Sequence, residues 1–235
     1  MELIKDKWNK DDIKEFNNYL YSIRNEDKIE WTRSIINTNY DLLAIKSDVI
    51  SSIAKKISKG NYIEFLDNCD FKYHEVFIVY DKVLAKIKDV NVFIKYLERL
   101  FSLFDNWASV DCIDFSIVNK NKELFLDKVN KYISDDRIFV KRVGIRILFK
   151  YLDNEYIDKV IELINKIDMN EYYVSMGVAW LLCEAMIKCR DYIINNIDNI
   201  KVDNDTFNRF VSKCNDSFRI SSDDKIYLRR LKNER

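Results

Sequence analysis

Proline is absent from these 235 residues and glycine occurs only three times. Both residues punctuate hairpins and tight turns, so their scarcity argues against a β-rich fold and excludes a glycine-rich loop that cradles phosphate. Histidine is scarcer still. The single His74 removes catalytic schemes that need two imidazoles and most histidine-rich metal sites. The five cysteines (Cys69, Cys112, Cys183, Cys189 and Cys214) are odd in number, scattered and without a C-x-x-C pair. Neither a disulfide framework nor a thiolate zinc site is indicated, and reduced, mostly buried thiols are expected. Net charge is missing too: 39 Lys and Arg balance 39 Asp and Glu, so any polyanion site must be a local patch. The richest apolar run, 178–187, is interrupted by Glu184 and too short to span a bilayer, and MELIKDKWNKDD lacks the apolar core of a signal peptide. A cytoplasmic protein with no membrane partner is expected. Carboxylate chemistry or plain binding remains, with no cofactor expected.

What is present is apolar and periodic. With 48% hydrophobic and 14% aromatic residues the chain can bury a sizeable core, and the 33% charged fraction does not imply disorder. Apolar residues recur every three to four positions almost throughout, which predicts an all-α protein. Helices are expected, to within about 3 residues, over 11–24, 27–37, 46–58, 62–68, 74–88, 90–104, 107–119, 121–133, 136–152, 154–167, 170–188, 190–197, 204–216 and 222–232. Asp11, Ser47, Asp153 and Ser222 stand where caps would. The later helices pair across short connections, and the pairs open near 136, 170 and 204, a spacing of about 34 residues typical of stacked helical hairpins. Side-chain identity does not repeat. The expected architecture is therefore a single domain over 1–235 of HEAT-like helical-hairpin repeats stacked into a curved superhelix, with a plain helical bundle as the alternative.

Two stretches stand out. In Phe104-Asp105-Asn106-Trp107-Ala108-Ser109-Val110-Asp111-Cys112-Ile113-Asp114-Phe115, a helix would put Trp107, Asp111 and Asp114 on one face. A face meant only for burial would not carry acids, and one meant only for solvent has little use for tryptophan. A rim position beside the core is the plainer reading. Farther on, Arg142, Arg146 and Lys150 lie four residues apart with Lys141 beside them, a cationic stripe spaced for phosphates. A solvated charged face explains the same spacing. In the helix that follows, Tyr173, Met176, Val178 and Leu181 read as core. Gly177 and Ala179 leave room for another helix or a sugar, and Trp180 fits either core or a surface platform.

Taken together, Asn106-Trp107-x-x-x-Asp111, Arg142 with Lys150 eight residues on, and Tyr172-Tyr173-x-x-Met176-x-x-Ala179-Trp180 resemble the AlkD-like DNA alkylation repair family of HEAT-like superhelices, from about residue 30 to 231. The resemblance implies a monofunctional DNA glycosylase that removes cationic N3- or N7-alkylated purines from duplex DNA, acting as a monomer. It matches Asp111 to the family's catalytic carboxylate, Trp107 and Trp180 to its pair of cleft tryptophans, and Arg142 to its DNA-contacting arginine. Lys150 corresponds to a backbone-contacting lysine, and Arg146 extends the same cationic stripe. Asp114 is the understudy to Asp111. The sequence departs from the family in lacking the proline and arginine near 45–57 and a clear match over the first thirty residues. A noncatalytic protein that binds damaged or branched DNA, or a helical scaffold for a protein partner, are the other readings.

Overall fold

With glycine and proline scarce, short polar side chains start many of the helices. In the computed structural model, which describes residues 1–234, Asn9 accepts from the backbone N–H groups of Asp11 and Asp12 while Asp12 reaches back to the Asn9 N–H, a full capping box. Asn61, Asp89, Asn106 and Asp203 likewise accept from N–H groups in the first turns of their helices. The helices that result are α1 (Lys10–Ser22), α2 (Glu26–Ile35), α3 (Ser47–Ile57), α4 (Tyr62–Asn68), α5 (His74–Leu84), α6 (Val90–Arg99), α7 (Trp107–Asp111), α8 (Lys122–Ile133), α9 (Ile138–Leu148), α10 (Ile157–Ile164), α11 (Tyr172–Lys188), α12 (Arg190–Asn195), α13 (Asn204–Asp216) and α14 (Ser222–Glu234). Short 3₁₀ turns follow α6, α7, α9 and α12. Among the described residues the only extended pairing is an isolated bridge from Asp41 to Tyr73, so the all-α expectation holds.

Four helices end more than three residues before the spacing predicted, at Leu84, Arg99, Asp111 and Leu148, and the last two bear on the site. The helix expected over 107–119 stops at Asp111, because Asp114 accepts from the backbone N–H and hydroxyl of Ser116 and so caps a 3₁₀ turn at Ser116–Lys120. Asp114 thus leaves the face it was expected to share with Trp107 and Asp111. The helix expected over 136–152 ends at Leu148 and tightens into a 3₁₀ turn at Phe149–Tyr151. Tyr151 is drawn in by its hydroxyl, which donates to the Lys122 carbonyl at 2.6 Å, so Lys150 lies on that turn beyond the α-helical stripe. The caps shift as well. Asn9 caps α1 ahead of Asp11, Ser47 and Ser222 are first helical residues, and Asp153 accepts from the N–H groups of Glu155 and Tyr156 one turn before α10.

The chain forms two compact units, one over Met1–Ile117 and one from Val118 onward. In the first, Trp8, Phe16 and Phe65 meet edge to face, with centroids 5.1 Å apart for Trp8–Phe65 and 5.3 Å for Phe16–Phe65. Gly60 lets the N-terminal segment cross at backbone distance, since a Cβ there would stand 2.3 Å from the Lys5 carbonyl oxygen. Helix α5 is buried on almost every side, including Asp81, which is fully buried and has no hydrogen-bond partner for either oxygen. Loss of solvation pushes that carboxyl well above the usual carboxylate range.

In the second unit α11 is central, with Val174, Val178, Leu181 and Leu182 fully buried and α9 and α13 packed on it. Gly177 is where α9 comes close, and its missing Cβ would meet Arg142 Nη1 and the Ile145 side chain at ordinary contact distance. Helix approach, not a sugar, uses that gap.

Side-chain bonds between successive helical pairs carry the repeat. In the first unit, the Leu43 N–H donates to Glu75, 32 residues on, and Asn106 contacts His74 across another 32. In the second, Ser175 pairs with Thr206 over 31 residues, Arg209 donates to Ser175 over 34, Tyr192 to Asp158 over 34 and Arg190 to Asp224 over 34. Each such bond joins one repeat to the next. The period seen in the spacing of helices is thus written again in the polar side chains, although residue identity does not repeat.

Candidate functional site

Helix α7 has five residues, too few to hold itself together by propensity, and its polar scaffold does that work. Asn106, fully buried, accepts from the Ser109 N–H at 3.1 Å, and its amide nitrogen donates to Ser109 Oγ at 2.9 Å and to Asp105 at 2.7 Å. Asp105 in turn accepts from the Thr38 hydroxyl at 2.9 Å and the Asn39 N–H at 2.6 Å, while Tyr40 donates to the Leu103 carbonyl at 2.9 Å. The loop before α3 is thereby tied to the start of α7.

Ala108, Ser109 and Val110 face inward and are buried, which leaves Trp107 and Asp111, four residues apart, on the partly exposed side. Trp107 Nε1 donates to the Ile35 carbonyl at 3.3 Å, so the indole is held at its polar end. The two residues thus share the outer side of the short helix. Asp114 is exposed and outside it.

Behind the cap lies His74, 3% exposed. Burial lowers its pKa to about 4, against a smaller upward pull from Asp105, so the ring is neutral at ordinary pH. The neighbouring Glu75 accepts two bonds from the Leu43 N–H at 3.1 and 3.0 Å and steadies the turn in which Ala44 adopts φ 52°. Desolvation raises its carboxyl above the usual range, opposed by those backbone donors.

In the second unit the four expected residues take different positions. Arg142 is buried, 5% exposed, and donates from Nη1 to the Tyr173 carbonyl at 2.6 Å. Arg146 is half-buried, with its guanidinium 4.7 Å from the Trp180 ring centroid and 4.8 Å from that of Phe149. Trp180 and Phe149 meet edge to face at 4.8 Å. Trp180 is therefore neither plain core nor an open platform, but a half-buried indole with a cation against it. Lys150 is also half-buried, and Lys141 pairs with Asp168 at 3.8 Å.

Sequence reasoning did not assign roles to Asp105, Thr38 or His74. Asn106 and Asp105 had a local signal, since Asn106 precedes Ser109 by the three residues that a capping side chain spans. Thr38 and His74 had none, being 67 and 32 residues from their partners.

Among the described residues, no group of three or more His, Cys, Asp or Glu side chains is placed to hold a metal ion, and no helix is long and apolar enough to cross a membrane. No curated protein matches the sequence. A family model described as DNA alkylation repair enzyme matches residues 16–212, a span that includes α7, α9 and α11.

Proposed function

Because the chain belongs to the DNA alkylation repair enzyme family, we propose that it is a DNA glycosylase that excises cationic N3- or N7-alkylated purines from duplex DNA. The observation that carries this reading is the Trp107–Asp111 pair, a carboxylate and an indole fixed on the outer side of α7 by the buried Asn106 cap.

An alkylated purine already carries positive charge, so its departure needs no general acid, and a chain whose one histidine is buried and neutral suffers no handicap. Breaking the glycosidic bond moves positive charge onto the deoxyribose, and a fixed carboxylate opposes that charge as it does in sugar hydrolysis. A unit pair at 4 Å and an effective dielectric near 20 gains roughly 4 kcal/mol, a ceiling of about a thousandfold in rate. Asp111 takes this role and can orient the attacking water. Trp107 presents an electron-rich face, worth about 0.5 to 2 kcal/mol against a developing cation. Trp180 is its second indole by resemblance. Arg146 and Lys150 supply phosphate contacts, and Arg142 orders the start of α11 from beneath.

Purified protein should release 3-methyladenine or 7-methylguanine from methylated duplex DNA. Asp111→Asn should lower single-turnover excision by two to three orders of magnitude while leaving duplex affinity within about twofold. Equal loss of binding and excision would sink the assignment of Asp111.

A second reading is DNA binding without excision, carried by the half-buried Arg146 and Lys150. The arginine that the resemblance gives to DNA is buried here and bonded to the Tyr173 carbonyl. Salt-sensitive duplex binding with no base release from any methylated substrate would decide for it.

A further inference from the structure

Helix α1 and the segment after α4 border a concavity of about 440 Å³ in the first unit. From α1 it takes Lys10, Ile13, Lys14, Asn17 and Asn18, positions that share one helical face. Opposite stand Asn68, Asp70 and Lys72, alternate residues that an extended chain turns to one side. Apart from the buried Ile13, every lining side chain is polar.

Asn17 distinguishes this place from an ordinary charged surface. It is 5% exposed, and its Oδ1 is sealed from solvent with no hydrogen-bond partner among the described residues. A buried amide left unbonded costs stability. Among the described residues no hydrogen bond holds the side chain, so the amide is free to turn about its Cβ–Cγ bond and present either its N–H or its oxygen. Asn68 offers an acceptor only, because its Nδ2 already donates to the carbonyls of Trp8 at 2.9 Å and Glu64 at 3.0 Å. Asp70 is a second acceptor. The cations are Lys10, Lys14 and Lys72, all exposed. None of the three is ion-paired among the described residues, and Lys72 Nζ lies 5.2 Å from the Tyr73 ring centroid.

Three cations against one acid call for negative charge, and the acceptors call for hydrogen-bond donors in the same ligand. A phosphodiester brings the charge with no hydrogen to give. Guanidinium forks, which suit phosphate, are absent from the lining. A metal ion would meet three lysines. An extended peptide carries an N–H and a C=O at each residue, and acidic side chains at alternate positions fall on one side about 6.7 Å apart. Lys10 and Lys14, one helical turn apart with about 5–6 Å between Cβ atoms, match that spacing.

We propose that this concavity binds an acidic, extended peptide segment of a partner protein, with carboxylates at alternate residues against Lys10, Lys14 and Lys72 and one peptide unit bonded to the Asn17 amide. Asn68 and Asp70 accept from the segment's N–H groups. The site does not depend on base excision, and it gives a chain without net charge a local patch for an acidic partner.

The test is fluorescence anisotropy of the full chain with a labelled short peptide that carries glutamate at alternate positions. A matched peptide with glutamine in their place is the control, and inorganic phosphate and a short duplex are the competitors. The glutamate peptide should bind, the glutamine peptide should be at least about tenfold weaker, and added salt should weaken the complex. Lys14→Gln and Lys72→Gln should each weaken binding about threefold with an unchanged melting curve, since both side chains are exposed. Asn17→Leu removes the amide at similar volume and should weaken binding about fivefold while raising stability. A purely structural amide would not give that pair of results. No binding at low salt, equal affinity for the glutamine peptide, or full affinity in Asn17→Leu or in the double lysine variant would overturn the proposal. Displacement of the peptide by equimolar phosphate or duplex would also overturn it, by making the concavity a phosphate site.

Discussion

At the scale of single residues, burial decides what each polar group can do. His74 is the clearest case, since its folded pKa lies near 4 against an ordinary value of 6.5. A group whose folded pKa is depressed contributes stability that is complete above the unfolded value and lost as pH falls toward the folded one. The chain should therefore lose about 3 kcal/mol of unfolding free energy from this group between pH 6.5 and 4, and His74→Phe should lose that much less over the same range in urea melts. The one histidine also gives one imidazole Cε1–H resonance, which should not begin to titrate until the pH approaches 4. A midpoint near 6.5 would show a solvated ring. Asn106 is the second case. Asn106→Ala removes the N-cap of α7 and the donor to Asp105 and Ser109, and should cost about 1–2 kcal/mol in stability. If α7 positions Asp111, excision should fall with it.

Individual elements show where helical periodicity is a sufficient guide and where local polar chemistry overrides it. The spacing that predicts α11 or α13 needs only an apolar stripe. The end of α7 at Asp111 depends on Asp114 turning back to Ser116, an alternative that competes with the helix over one turn. Helix α5 carries the sharpest conflict, a carboxyl at Asp81 that is fully buried and without hydrogen bonds. Raised well above its ordinary range, it binds a proton in the folded chain that the unfolded chain has lost, so it lowers stability progressively as pH rises above about 3.8. Asp81→Leu should raise unfolding free energy at pH 7 by about 1–3 kcal/mol and flatten that pH dependence. A destabilised variant would mean that the carboxyl has a partner in solution.

For the whole molecule, neutrality is the controlling fact. A chain with 39 charges of each sign has no long-range pull on DNA, so any duplex affinity must come from a few placed cations, and its salt dependence counts them. Arg146→Ala and Lys150→Ala should each weaken binding to duplexes of any sequence and reduce the slope of log affinity against log salt by about 1. A slope unchanged in both variants would place the DNA contact elsewhere. The repeat matters at this scale too. Bonds such as Arg190 to Asp224, 2.8 and 2.6 Å across 34 residues, fix each helical pair on its neighbour, so stability should spread along the chain through adjacent repeats.

The sequence by itself determined the all-α class, where the helices begin to within about three residues, the repeat period and the four-residue spacing of Trp107 and Asp111, because these depend on spacings of three, four and about thirty-four residues along one chain. The family followed from motifs in order, for the same reason. Only the tertiary structure decided that Arg142 is buried, that Arg146 lies against Trp180, that Asp81 is sealed in, and that Asn17, Asn68 and Lys72 border one concavity. Those depend on which side chains meet across distances of tens of residues, where solvent exclusion, rather than position in the chain, sets charge, partner and accessibility.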